Sequence, residues 1–68
     1  MTFKHGGYYA DGSLVVYGFN DSNNKVAVFR GYVDWKKNTI SLYPQKILMP
    51  TTEDVGKRTI PIFNVEKE

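Results

Sequence analysis

The chain has 68 residues, 41% of them hydrophobic and 15% aromatic, with 9 Lys+Arg against 7 Asp+Glu, a net charge of +2 and no cysteine. At roughly 100–200 residues per typical domain this is one small domain. The missing cysteine excludes a disulfide scaffold, a Cys-based zinc site and a cysteine nucleophile. The apolar fraction is too high and the net charge too low for a disordered tail, and no apolar stretch reaches the ~18–20 residues of a membrane span.

Such a chain builds one thin core. Its aromatics exceed what that core can hold, so some tyrosines are expected on the surface, where Tyr is suited to a binding face. The start, Met1-Thr2-Phe3-Lys4-His5-Gly6, has no apolar run after its basic residue. It does not read as a signal peptide, and the expected location is the cytoplasm.

Turn formers divide the chain into short runs rich in Val, Ile, Thr, Tyr and Phe, and no window shows the helical apolar spacing. Asp11-Gly12 is the first turn, between Tyr8-Tyr9-Ala10 and Ser13–Tyr17. Read as a two-residue type I′ loop, it places Tyr9 opposite Leu14, Tyr8 opposite Val15 and Gly6 opposite Tyr17. Gly6-Gly7 is then a bulge or bend. The apolar run at 13–19 leaves open which of its faces turns inward.

Asn20–Asn24 is a polar loop. The longest strand follows, with Ala27, Phe29, Gly31, Val33 and Trp35 on the core face and Val28, Arg30, Tyr32 and Asp34 on the other. After a turn at Lys36–Thr39, the return strand Ile40–Tyr43 keeps its apolar residues on the core face if Ile40 stands opposite Trp35 and Leu42 opposite Val33. That register puts Tyr32 opposite Tyr43 and Asp34 opposite Ser41.

Pro44 is expected to end the pairing of this strand, and Lys46–Met49 to form a short strand or edge closed by Pro50. Thr51–Gly56 reads as one helical turn, capped by a threonine, with Glu53 and Asp54 at its positive end. The last strand is Thr59–Val65, confined to an edge or a bulge by Pro61. Glu66–Glu68 reads as a solvated tail after a single domain at 1–65. The fold class is all-β: a small rolled sheet of five to six antiparallel strands, with one helical turn before the last. The element order resembles an SH3-like barrel in strand count and in its late helical turn. The length and aromatic content are similar to those of cold-shock proteins, whose basic-aromatic segments are missing.

Chemistry is sparse. His5 has no cysteine to pair with, no serine lies in a Gly-x-Ser-x-Gly context, and the carboxylates sit where turns, caps and the C-terminal end explain them. Asp34, on the outer face, reads as a cross-strand partner. Metal ligation needs a cluster the sequence lacks, Gly6-Gly7 lacks the rest of a phosphate loop, and Lys57-Arg58 reads as a solvated turn. No catalytic residue, metal ligand or cofactor is expected, and the chain reads as a non-enzyme.

A binding surface remains. The candidate residues are Arg30, Tyr32, Tyr43, Tyr17 and Tyr8, with Lys36, Lys37 and Lys46 at the rim; Tyr and Arg are enriched at interface centres. The favoured reading is a protein-interaction module, using this face or an open edge (Lys46–Met49 or the Pro61 strand). Self-association through an edge belongs to the same reading. By analogy of size, such a chain suits a regulator or inhibitor of a larger protein, as phages and mobile elements carry. The alternative is a single-stranded nucleic-acid binder that stacks bases on Tyr32 and Tyr43. The first 50 residues hold six basic and three acidic side chains, a modest footprint that favours protein over nucleic acid. No membrane contact is expected.

Overall fold

The computed structural model describes the whole chain, Met1–Glu68. Six strands form one curled sheet, a half-barrel: β1 Thr2–Tyr8, β2 Leu14–Phe19, β3 Lys25–Asp34, β4 Thr39–Ile47, β5 Arg58–Pro61 and β6 Val65–Lys67, with a single 3-10 turn, Ile62–Asn64, between the last two. The order across the sheet is β5-β4-β3-β2-β1-β6. Neighbours are antiparallel except β1 and β6, which run parallel.

The order places consecutive strands β5 and β6 on opposite edges, yet only Ile62–Asn64 joins them. Three residues at about 2 Å of rise each span little more than one strand spacing, so the edges must curl close together. Arg58 of β5 reaches across the seam and holds its guanidinium 5.5 Å from the Phe3 ring of β1.

The core fills the inside of the curl. Phe29 lies at its centre, fully buried, with Phe3 packed edge-to-face at 5.7 Å. Leu14, Val16, Val26, Ala27, Ile40, Leu42 and Val65 complete it, and Met1, Val33, Val55, Ile60 and Ile62 pack around it. Burial of each such large aliphatic or aromatic side chain contributes about 1.5–3 kcal/mol before entropy is counted.

Three bulges set the curl and re-aim side chains. The first absorbs Gly6-Gly7 between the His5–Val16 and Tyr8–Leu14 pairs, as the two glycines suggest. The second lies between the Gly18–Ala27 and Phe19–Lys25 pairs. It leaves the adjacent Val26 and Ala27 both fully buried, which simple alternation does not allow. The third sits at Gln45, between the Phe29–Pro44 and Val28–Lys46 pairs.

Several expectations are corrected. Only Gly12 has positive φ in the first hairpin loop, at +89°. A type I′ turn needs two such residues. The loop therefore has three residues, Ala10-Asp11-Gly12, closed by Gly12 N donating to Tyr9 O and Tyr9 N donating to Ser13 O. Tyr8, rather than Tyr9, then stands opposite Leu14.

The β3–β4 pairing keeps the expected faces but lies two residues from the expected register. Ile40 faces Val33 and Leu42 faces Gly31. Trp35, expected in the core, falls in the turn and is 68% exposed. A four-residue turn accommodates this because Asn38 takes the left-handed conformation, φ 53°, and Asp34 Oδ1 accepts the Lys36 and Lys37 amides. Asp34 is thus a turn acceptor, opposite Thr39 rather than Ser41.

Pro44 does not end β4. Ile62 N donates to Asn38 O across the Thr39–Pro61 pair. That bond makes Thr39–Pro61 a non-hydrogen-bonded pair, so the backbone groups of Ile40, Leu42 and Pro44 point to the β5 side. β5 stops opposite Leu42, so the donor Pro44 lacks would have faced open space. Lys46 and Ile47 continue the pairing with β3, and Leu48 N donates to Val26 O. The same alternation directs the backbone of Pro61 outward from edge strand β5.

No helical turn forms at Thr51–Gly56. Thr51 Oγ1 accepts the Glu53 amide and Asp54 Oδ1 accepts the Gly56 amide, local bonds that compete with helix. The 3-10 turn lies after Pro61 instead and interrupts the expected Thr59–Val65 strand. Glu66 and Lys67, read as a tail, pair with Lys4 and His5.

Candidate binding face

Direct cross-strand partners point to the same face of a sheet. From the register, the outer face carries Lys4 on β1, Val15 and Tyr17 on β2, Val28, Arg30 and Tyr32 on β3, and Ser41, Tyr43 and Lys46 on β4. Gln45, Arg30, Tyr32 and Tyr43 line a shallow depression on it. The bulge at Gln45 is the reason: Pro44 stands opposite buried Phe29, and the extra residue lets Gln45 and Lys46 both project to the outer side.

Arg30 is held rather than free. Its Nε donates to Ser13 Oγ at 2.9 Å, its Nη2 donates to Asp11 Oδ2 at 3.1 Å, and its guanidinium carbon lies 4.0 Å from the centre of the Tyr9 ring. Ser13 is buried, at 2% exposure, and donates its hydroxyl and amide hydrogens to Asp11 Oδ1. These Ser13 bonds, the hydroxyl first, hold the Asp11 carboxyl below its ordinary 3.8, with a smaller contribution from Arg30 and against a small opposing effect of burial. Arg30 is thereby fixed against the first hairpin with its charge partly compensated.

Tyr32 and Tyr43 are 45% and 36% exposed, and their rings meet edge-to-face at 5.5 Å. They are diagonal rather than opposite: Tyr43 faces Arg30 and Tyr32 faces Ser41. The diagonal distance in a sheet is still within aromatic reach, so the expected contact forms by a different register. Lys57 places its Nζ 5.0 Å from the centre of the Tyr43 ring, and Lys25 its Nζ 4.0 Å from that of Tyr17.

The structure thus brings Arg30, Tyr32 and Tyr43 together, with Lys46 on the same face and Tyr17 farther along it. Tyr8 stands opposite inward-facing Leu14, so it belongs to the other side of the sheet. Lys36 and Lys37 lie exposed in the β3–β4 turn. Sequence reasoning missed Gln45, Lys57, Tyr9 and the Asp11–Ser13 pair. A bulge at Gln45 has no local signal beyond the preceding proline. Asp11-x-Ser13 could have been read as a side-chain turn facing the next strand.

The open edges are guarded. Pro44 and Pro61 occupy positions whose missing N–H would face outward, and Lys46 flanks the free part of β4, features that discourage strand addition. A second, polar cleft lies between Asn20–Ser22 and Pro50–Glu53 and contains no hydrophobic side chain. Comparison with known proteins gives no matching family model, no matching curated protein and no matching solved structure.

Proposed function

We propose that this protein is a small non-enzymatic interaction module, suited to regulating or inhibiting a larger protein, which it engages through the Arg30–Tyr32–Tyr43 face. The observation that carries the reading is the immobilised Arg30 beside two half-exposed tyrosines in one depression. Side chains fixed before binding lose less entropy when a partner docks, and Tyr with Arg is the composition of interface centres.

Base stacking is less well served. The rings of Tyr9, Tyr17 and Tyr43 each already carry a cation, Arg30, Lys25 and Lys57 respectively. A stacked base would have to displace that cation or use the other ring face. The guarded edges likewise favour the face over strand addition.

The test compares capture from native-host extract by the parent protein, by Tyr32→Ala/Tyr43→Ala and by Trp35→Ala, with folding of each checked by thermal melting. The expected result is a partner retained by the parent and the Trp35 variant and lost by the double tyrosine variant. Equal capture by all three overturns the reading. Salt-sensitive binding of short single strands, lost with the same tyrosines, would replace it with the nucleic-acid alternative.

A further inference from the structure

We infer that the partner segment is acidic, with an apolar anchor, and that Lys46 and Lys57, rather than Arg30, select its charge. The inference rests on reading the Tyr32–Tyr43 face as an interaction surface and goes beyond it by naming the chemistry of the partner.

The charges around the depression are unequal in status. The chain has four ion pairs: Met1 N-terminus with Glu53, Lys25 with Glu68, Arg30 with Asp11 and Arg58 with Asp54. Arg30 meets its carboxylate at 3.1 Å. Lys46 and Lys57 meet none. Lys46 stands on the outer face opposite Val28, beside Gln45. Lys57 holds its ammonium over the Tyr43 ring, a contact that leaves its donors free for an incoming oxygen.

No carboxylate on β3 or β4 opposes them near the depression. Asp34, the acid of those strands, lies at the turn, and its Oδ1 is occupied by the Lys36 and Lys37 amides. The uncompensated charge beside Tyr32 and Tyr43 is therefore positive and comes from two lysines near Tyr43: one from the bulged part of β4, farther along the strand, and one from the loop that precedes β5, over the Tyr43 ring. Complementary charge at a rim sets which partners approach and how fast, and the tyrosine rings supply apolar contact beside the lysines. A carboxylate-rich peptide with one aromatic residue matches both parts. Gln45, also lining the depression, adds an amide that can bond the peptide backbone.

The test uses nitrogen-15-labelled full chain and three probes: a short blocked peptide of glutamates and aspartates around one phenylalanine, its neutral glutamine and asparagine counterpart, and a short oligothymidylate. The acidic peptide is expected to shift the amide resonances of Tyr32, Tyr43, Gln45, Lys46 and Lys57, with affinity falling as salt is raised. Lys46→Gln and Lys57→Gln should each weaken it about two- to fivefold, the scale of a rim ion pair, without altering the thermal melt.

If the neutral peptide shifts the same resonances as strongly, the face is an interaction surface and its selection of acid is overturned. If neither peptide moves these resonances, the acidic inference fails, and the tyrosine-variant capture experiment decides the interaction reading separately. Oligothymidylate binding more tightly than the acidic peptide through the same residues overturns the inference in favour of nucleic acid.

Discussion

Arg30, in the middle of β3, and Asp11, in the loop joining β1 to β2, are 19 residues apart in sequence and meet at 3.1 Å on the outer face of the sheet. Buried Ser13 joins both, accepting from Arg30 Nε and donating to Asp11. The trio fastens the first hairpin to the central strand from outside while the core fastens it from within.

The carboxylate of Asp11 has a folded-state value below the ordinary 3.8 that it has in the unfolded chain. Its contribution is therefore complete above that ordinary value and is lost as pH falls through it toward the folded value. Melts of the parent protein should drop with acidification in that window, and Asp11→Asn should remove part of the drop. Carbon-13 titration of the Asp11 carboxyl group, followed with the Arg30 Nε proton, checks the coupling directly.

Ser13→Ala deletes the hydroxyl that both partners use. The cost expected is about 1–2 kcal/mol, toward the low side of hydrogen bonds to charged groups because Arg30 and Asp11 are partly exposed. Urea unfolding measures it. A change within about 0.3 kcal/mol would mean that water replaces the hydroxyl without loss.

Trp35→Ala should be nearly silent, within about 0.5 kcal/mol, as is usual for exposed positions away from special features. Phe29→Ala should cost about 3–5 kcal/mol, the range for large core truncations. Paired denaturation curves test the contrast, which depends on Trp35 lying in the turn at 68% exposure and Phe29 being fully buried.

Gly31→Ala should destabilise by about 1–3 kcal/mol, the overpacking range. A Cβ built there would lie 2.6 Å from Ile40 Cδ1 and 3.1 Å from Val16 Cγ2. Gly12→Ala should also destabilise, through its φ of +89° rather than through crowding, because nothing lies within 4 Å of the added atom. Trimming Ile40 to Val in the Gly31→Ala background should recover part of the loss at position 31. No core trimming should rescue position 12.

The sequence carried the parity of the sheet better than its register. Alternation correctly placed Phe29 inside and Arg30, Tyr32 and Tyr43 outside. A shift of two residues preserves every one of those assignments, so face reasoning could not choose between Trp35 and Val33 as the partner of Ile40. Turn chemistry made the choice, through Asn38 at positive φ and the Asp34 carboxylate. Proline misled once: a ladder nitrogen that faces an open edge costs nothing to omit, so Pro44 could sit within β4, whereas Pro61 ends edge strand β5, the kind of position its missing donor called for. Of the binding face, the Arg30–Tyr32–Tyr43 cluster was legible because β3 alternates cleanly. Gln45 and Lys57 were not, because a bulge and a loop brought them there.

The parallel pairing of β1 with β6 bears on how the protein is born. A ribosome makes β1 first and β6 last, so Phe3 has no Val65 beside it until translation of the sheet is almost done. Through that interval β1 carries an unsatisfied flank, and all the intervening strands must be made before the sheet closes its largest loop, whose entropy cost grows only slowly with length. Docking of three residues then seals the seam, making the last strand of the sheet the latch on its first.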